Sequence, residues 1–140
     1  MAIEKTLVLV KPDAYQAGHT GDIIRIYEQA GLKILAIRLM KMTKEVAAKH
    51  YVEHIGRPYY GELESFMTSG PIVAMVLAGE DAIARVRELN GKTDPKEAAE
   101  GTIRKLYAAS KGENAVHASD APESAAREIA IFFNGTEIFE

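Results

Sequence analysis

The sequence contains no cysteine, which excludes disulfide frameworks, thiolate nucleophiles, iron–sulfur clusters and cysteine-ligated zinc together. It also lacks any apolar run near the roughly 20 residues needed to span a bilayer. Met1-Ala2-Ile3-Glu4-Lys5 leads directly into Thr6-Leu7-Val8-Leu9-Val10, with no basic region or long apolar stretch ahead of a cleavage site. These absences predict a cytoplasmic protein with no membrane partner. A basic surplus is missing too. Seventeen basic against twenty acidic side chains give a net charge of −3, whereas nucleic-acid-binding domains usually carry excess positive charge. No nucleic-acid partner is expected. What remains is ordinary for a folded chain: 140 residues, 47% hydrophobic and 26% charged, which excludes disorder and collagen-like repeats. That length fits one domain over residues 1–140, of a size that buries about two-thirds of its unfolded surface without staples.

Hydrophobic periodicity orders the chain. Thr6 to Val10 reads as a buried strand, ended by Lys11-Pro12-Asp13 because proline cannot donate to a ladder. Ile23, Ile26, Tyr27 and Ala30 mark one helix face, closed by Gly31. Leu32 to Met42 predicts a second strand, and Lys44 to Tyr51 a short helix. A polar loop through Gly56, Pro58 and Gly61 precedes another short helix carrying Leu63, Phe66 and Met67. Ile72 to Leu77 is the clearest strand, and Ile83, Val86 and Leu89 predict a helix that stops near Asn90-Gly91. Lys92 to Ala121 reads as a long irregular segment with short helical stretches, and such segments tend to be functional. Asp120 and Glu123 have capping-box spacing ahead of a helix bearing Ala126, Ile129, Ala130 and Phe133. Ile138-Phe139 would supply the final strand. The order predicts an α+β fold: a ferredoxin-like βαββαβ chain whose four-stranded antiparallel sheet is covered by helices.

Gly91-Lys92-Thr93 resembles the end of a P-loop, but the glycine required five positions earlier is Val86 and the preceding segment is helical. His50 and His54 lie four apart, yet Tyr51 stands where a zinc-protease helix needs glutamate. Both read as surface histidines at a helix end. His19 sits in a glycine-flanked turn with no partner in view. His117 closes the irregular segment just before a helix N-terminus, whose unpaired N–H groups suit a phosphate. A neutral imidazole is a good nucleophile near pH 7. On composition alone, a loop histidine that merely hydrogen-bonds the chain is the more ordinary reading.

Taken in order, a set of short motifs goes further. They are Lys11-Pro12-Asp13-Ala14, His50-Tyr51, Arg57-Pro58-Tyr59-Tyr60, Met67-Thr68-Ser69-Gly70-Pro71, Thr93-Asp94-Pro95, Gly101-Thr102-Ile103-Arg104, Asn114 to Asp120, and Glu123 to Ile129. With this pattern from about Ile3 to Phe139, the chain resembles the nucleoside diphosphate kinases. The resemblance implies transfer of the terminal phosphoryl group of a nucleoside triphosphate to a nucleoside diphosphate through a phosphohistidine, with ping-pong kinetics. It makes His117 the nucleophile through Nδ1 and Glu128 the acceptor that fixes its tautomer. Lys11, Arg87 and Arg104 become the phosphate clamp, Thr93 and Tyr51 hydroxyl donors, and Asn114 a contact to the sugar with Lys11. Tyr59 would stack on the base, where most relatives have Phe, and stacking accepts any base. Magnesium would arrive with the nucleotide phosphates. Ser119 would bond near Glu128 or the transferred phosphate, and Asp120 would either support the site or cap the helix. A homo-oligomer, tetramer or hexamer built from dimers, is implied as well.

There are departures from the family pattern. Ala118 and Ala121 replace residues commonly Gly and Ser, Lys105-Leu106-Tyr107 stands where many relatives have Gly-Asp-Phe, and Lys111 takes an often apolar place beside the base. If position 118 needs an unusual backbone angle, alanine would be strained there. Two rivals remain to be weighed. A ferredoxin-like regulatory domain would hold nucleotide without turnover. An RNA-recognition sheet would expose aromatics on neighbouring strands, which the apolar runs Thr6–Val10 and Ile72–Leu77 do not offer.

Overall fold

Two unbroken aliphatic runs build the centre of the sheet. In the computed structural model, which describes residues 3–140, β1 (Ile3–Val10) lies antiparallel to β3 (Pro71–Glu80), with Leu7 opposite Val76 and Leu9 opposite Ala74. Helices cover both faces, so every side chain from Leu7 to Val10 is fully buried. That double burial is why these strands show no polar alternation. β2 (Lys33–Lys41) flanks β3, and β4 (Val116–Ala118) flanks β1, giving the order β2-β3-β1-β4 with all neighbours antiparallel. This is the predicted ferredoxin-like sheet.

The helices divide by the alternation of β1. Val8 and Val10 face α2 (Thr20–Gln29), α5 (Ala82–Asn90) and α6 (Ile103–Tyr107), through Ile23, Tyr27, Val86 and Ile103. Leu7 and Leu9 face α3 (Lys44–His50), α4 (Tyr60–Met67) and α7 (Pro122–Phe132), through Ala47, Met67 and Phe132. Period-two alternation in a strand thus assigns one helical layer to each face. The remaining helix, α1 (Pro12–Gln16), places Pro12 in its first turn, where a missing N–H costs nothing. Proline ends β1 as predicted and also begins this helix.

Several expectations are corrected. The fourth strand is Val116–Ala118, inside the segment read as irregular, and not Ile138–Phe139. Those two residues follow a short 3₁₀ turn at Gly135–Glu137; Ile138 packs against the core and the Phe139 amide donates to the Leu35 carbonyl at 2.9 Å. Gly61 lies within α4, not in the loop before it. The N-cap of α7 is Ala121, not Asp120. Ser124 completes that end: its hydroxyl donates to the Asp120 carboxylate at 2.5 Å and accepts from the Ala121 amide at 3.1 Å. Position 118 needs no unusual backbone angle, so its alanine is unstrained: Ala118 is an ordinary strand residue, and the left-handed backbone falls at Ala115, with φ of 74°. His19, with no partner in sequence, stacks on Tyr107 with ring centroids 4.5 Å apart.

Candidate active site

His117 owes its position to β4. It is the middle residue of that strand, paired with Leu9, so its side chain points to the face covered by α3 and α7. Burial of Val116 and Ala118 on the opposite face pins the strand, and leaves the His117 side chain 21% exposed. Its Nε2 donates to Glu128 Oε1 at 2.9 Å. A carboxylate can only accept, so the ring proton belongs on Nε2 and Nδ1 keeps its lone pair. The same oxygen accepts from the Ser119 hydroxyl at 2.7 Å, and Ser119 Oγ in turn accepts from the Leu7 amide at 3.2 Å. Arg127 Nη2 lies 3.6 Å from the second carboxylate oxygen. Glu128 is therefore buried but fully engaged, as a buried charge must be. Burial pushes the His117 imidazole below its usual pKa, and the Lys11 and Arg104 cations add to that, against the pull of Glu128. The ring is neutral near pH 7.

The chain just before His117 is bent by force. Ala115 holds φ of 74° while the Val116 amide donates to the Asn114 carbonyl at 2.9 Å, the geometry of a γ-turn with positive φ, which is rare and strained. Both polar backbone groups of Ala115 are held by residues just past the C-terminal end of β1. Its N–H donates to Asp13 Oδ2 at 3.1 Å, and its carbonyl accepts from the Lys11 amide at 2.8 Å. Strain of this kind persists only where surrounding structure over-determines it.

A cavity of about 1040 Å³ is lined by His117. Of the residues singled out in sequence, Lys11, Tyr51, Arg87, Thr93, Arg104, Asn114, His117, Asp120 and Glu128 all line it. Two do not. Ser119 is wholly buried beneath Glu128, and Tyr59 stands at 48% exposure outside the lining. Lys11 Nζ donates to Asn114 Oδ1 at 2.8 Å. Burial and the nearby Arg104 charge lower the Lys11 ammonium to about 8, with Asp13 opposing them. Arg104 donates from Nη1 to the Gly91 carbonyl at 2.8 Å and from Nη2 to the Val116 carbonyl at 2.9 Å, so this guanidinium also braces the cavity wall. Arg87 and Thr93 are exposed at the rim, and Lys111 lines the cavity with its side chain exposed. The Tyr51 hydroxyl is buried, which raises its pKa, and the Glu128 charge raises it further.

Sequence reading missed His50. It is 4% exposed rather than at the surface, and its ring meets His117 edge-on at a centroid distance of 4.5 Å. Burial holds His50 neutral, far below the usual histidine range, and the charge on His117 would push the same way. Only His54, the other histidine of that pair, is partly exposed. The placement of His50 at the last turn of a helix, next to an apolar Tyr51, was its only signal. His50, His117 and Glu128 are the one group of three metal-capable side chains gathered among the described residues. Two imidazoles and one carboxylate do not suit magnesium, which prefers oxygen donors.

A nucleophilic nitrogen oriented from behind, in front of a cation-lined cavity, is equipped for phosphoryl transfer. Comparison with known proteins agrees. The family model described as nucleoside diphosphate kinase matches residues 4–138. The chain is 56% identical over 138 residues to the nucleoside diphosphate kinase of Bradyrhizobium diazoefficiens, covering 99% of each chain. It is 54% identical over 140 residues to that of Persephonella marina, covering 100% of each. Among solved structures, the Aquifex aeolicus nucleoside diphosphate kinase superposes with a TM-score of 0.96 at 49% identity, covering 98% of this chain and 99% of the other. The Halobacterium salinarum enzyme, solved in complex with CDP, gives a TM-score of 0.96 at 44% identity, with 99% and 93% covered.

Proposed function

The chain belongs to the nucleoside diphosphate kinase family, and on that premise we propose how its own residues carry the reaction. The enzyme moves the terminal phosphoryl group of a nucleoside triphosphate to a nucleoside diphosphate, through a phosphohistidine, and so maintains triphosphate pools. His117 is the nucleophile. Its Nδ1 lone pair forms an N–P bond as the bond from phosphorus to the bridging oxygen breaks, and the diphosphate leaves with that electron pair. An acceptor diphosphate then reverses the step, in the same pocket. Glu128 holds the proton on Nε2 throughout and stabilises the positive ring as the N–P bond forms. Ser119 keeps Glu128 in place.

Lys11, Arg87 and Arg104 meet the phosphate charge, which in the transition state spreads over the equatorial oxygens. A bound phosphate restores the full Lys11 charge that burial weakens in the free protein. Tyr51 and Thr93 donate hydroxyl hydrogen bonds, Asn114 and Lys11 take the sugar, and Tyr59 stacks on the base without reading it. Asp120, tied to Ser124, supports the loop after His117. When bound with the nucleotide, magnesium would supply neutralisation of phosphate charge. Lys11, Arg87 and Arg104 in the cavity lining fit that arrangement, since they would meet phosphate directly and the metal would need no protein cage. Residues 1–140 act as one domain, in the cytoplasm, with no nucleic acid or membrane partner. The working form is a homo-oligomer, tetramer or hexamer from dimers. Support for this is the edge strand β2, where Ile37 and Leu39 are 47% and 57% exposed, since open apolar edges invite pairing. A solution mass equal to a single chain would refute it.

The observation that carries the mechanism is the Nε2–Glu128 bond, which frees Nδ1. Incubation with terminally labelled ATP should give protein carrying acid-labile, base-stable label, and the His117→Gln variant should carry none. Unlabelled wild-type protein would leave only nucleotide binding without turnover.

A further inference from the structure

Outward from His117 runs a ladder of aromatic rings. His50 packs on His117, Tyr51 on His50 at 4.5 Å, His54 on Tyr51 at 5.9 Å and Tyr59 on His54 at 5.7 Å, each pair tilted by 62–81°. The His50 and Tyr51 rings are buried, while the segment from Val52 to Tyr59 is mostly exposed. One hydrogen bond joins the outer end to the inner rings: His54 Nδ1 lies 2.6 Å from the Tyr59 hydroxyl. Either imidazole tautomer serves, because a phenol both donates and accepts. Among the described residues, the Tyr59 side chain has no other polar partner, and at 48% exposure packing alone does not hold it.

We propose that His54 is a positioning residue for nucleotide binding. Its ring is seated on Tyr51, at the phosphate end of the cavity, and its Nδ1 holds the Tyr59 hydroxyl, so the base platform is set at a fixed distance from the phosphate site. The inference rests on Tyr59 being that platform. Its physical basis is preorganisation: a half-exposed aromatic ring that is already ordered costs less entropy when a base stacks on it. His54 thereby acts on affinity, through Tyr59, and does not touch the transferred phosphoryl group.

The test is transfer from phosphorylated enzyme to GDP, with KM and kcat measured separately for full-length variants. Tyr59→Phe and His54→Phe each keep a ring and remove one side of the hydrogen bond. Each should raise KM about two- to tenfold, the usual effect of one side chain left to be ordered on binding, with kcat unchanged. The double variant should be no worse than the more affected single, because both lose the same bond. Inhibition by inorganic pyrophosphate, which has no base, should not move. Additive effects in the double variant, or weaker pyrophosphate inhibition in either single, would overturn the proposal. So would a normal KM in Tyr59→Phe alongside a raised KM in Tyr59→Ala, which would leave the platform standing without its tie. A normal KM in Tyr59→Ala would instead remove the platform itself, and the tie with it.

Discussion

Glu128 Oε1 receives two hydrogen bonds, from His117 at 2.9 Å and Ser119 at 2.7 Å, and this double use defines its chemistry. A glutamine there can still offer an oxygen, but it brings no charge to stabilise the ring as it becomes positive. Glu128→Gln should slow phosphoenzyme formation about 10- to 100-fold, the range seen for partners that orient a functional histidine. The KM for the triphosphate should stay near the wild-type value. Rapid-quench measurement of the labelled intermediate checks this, and an unchanged rate would mean that another group sets the tautomer. In the sequence, nothing periodic links His117 to a residue eleven positions on, and only the family pattern paired them. His50 shows the opposite failure. Its polarity and its place at a helix end suggested the surface, whereas the packing of α3 on α7 and β4 encloses it.

Whole elements were legible where hydrophobic periodicity was long enough. α2, α5 and α7 follow from apolar spacing, and β1 and β3 from continuous aliphatic runs. β4 was not, because three residues cannot display a period and their strand state depends on pairing with β1. Gly91 shows how an element's end serves the site. It stops α5 with φ of 86°, and a Cβ there would meet Thr102 Oγ1 at 2.6 Å and Thr102 Cβ at 2.7 Å. Its carbonyl also anchors Arg104 at 2.8 Å, and Thr93 lies two residues on. Gly91→Ala should cost about 1–3 kcal/mol from its φ 86°, ψ 179° backbone alone, a region essentially reserved for glycine, with the clash adding to it. A raised KM for nucleotide should accompany the loss, as the Arg104 anchor and Thr93 shift together. Urea unfolding and steady-state kinetics read the two effects, and a variant of wild-type stability would contradict this account of the α5 terminus.

At the scale of the molecule, a net charge of −3 coexists with a cavity lined by Lys11, Arg87, Lys92, Arg104, Lys111 and Arg127. Five carboxylates, Glu53, Asp94, Glu97, Asp120 and Glu128, share that lining, so overall composition excludes a broad basic surface but not a cleft in which a few cations are placed to meet an anion. The same cavity links stability to pH. His50 and His117 both have folded-state pKa values lowered from 6.5, His50 to about 2. Above pH 6.5 both states are neutral and these groups contribute nothing. As pH falls below 6.5, the unfolded chain binds protons that the folded chain refuses, so stability falls. The slope approaches about 1.4 kcal/mol per pH unit for His50, and His117 adds to it in the same direction. Urea unfolding between pH 7.5 and 5.5 should show this loss, and His50→Phe should reduce the slope by one proton's share. Equal stability across that range would rule out neutral, buried imidazoles.

Sequence alone determined the sheet's central strands, the main helices and the family, and it singled out nine residues that line one cavity. These depend on local periodicity and on residue types at fixed spacing, which a linear chain displays. Tertiary structure alone decided that Val116–Ala118 is the fourth strand, that backbone strain falls at Ala115 rather than Ala118, and that His50 is a buried neighbour of the nucleophile. It also decided that His54 ties Tyr59 to the inner rings. Each of these depends on which distant segments are pressed together, and no residue carries that information by itself.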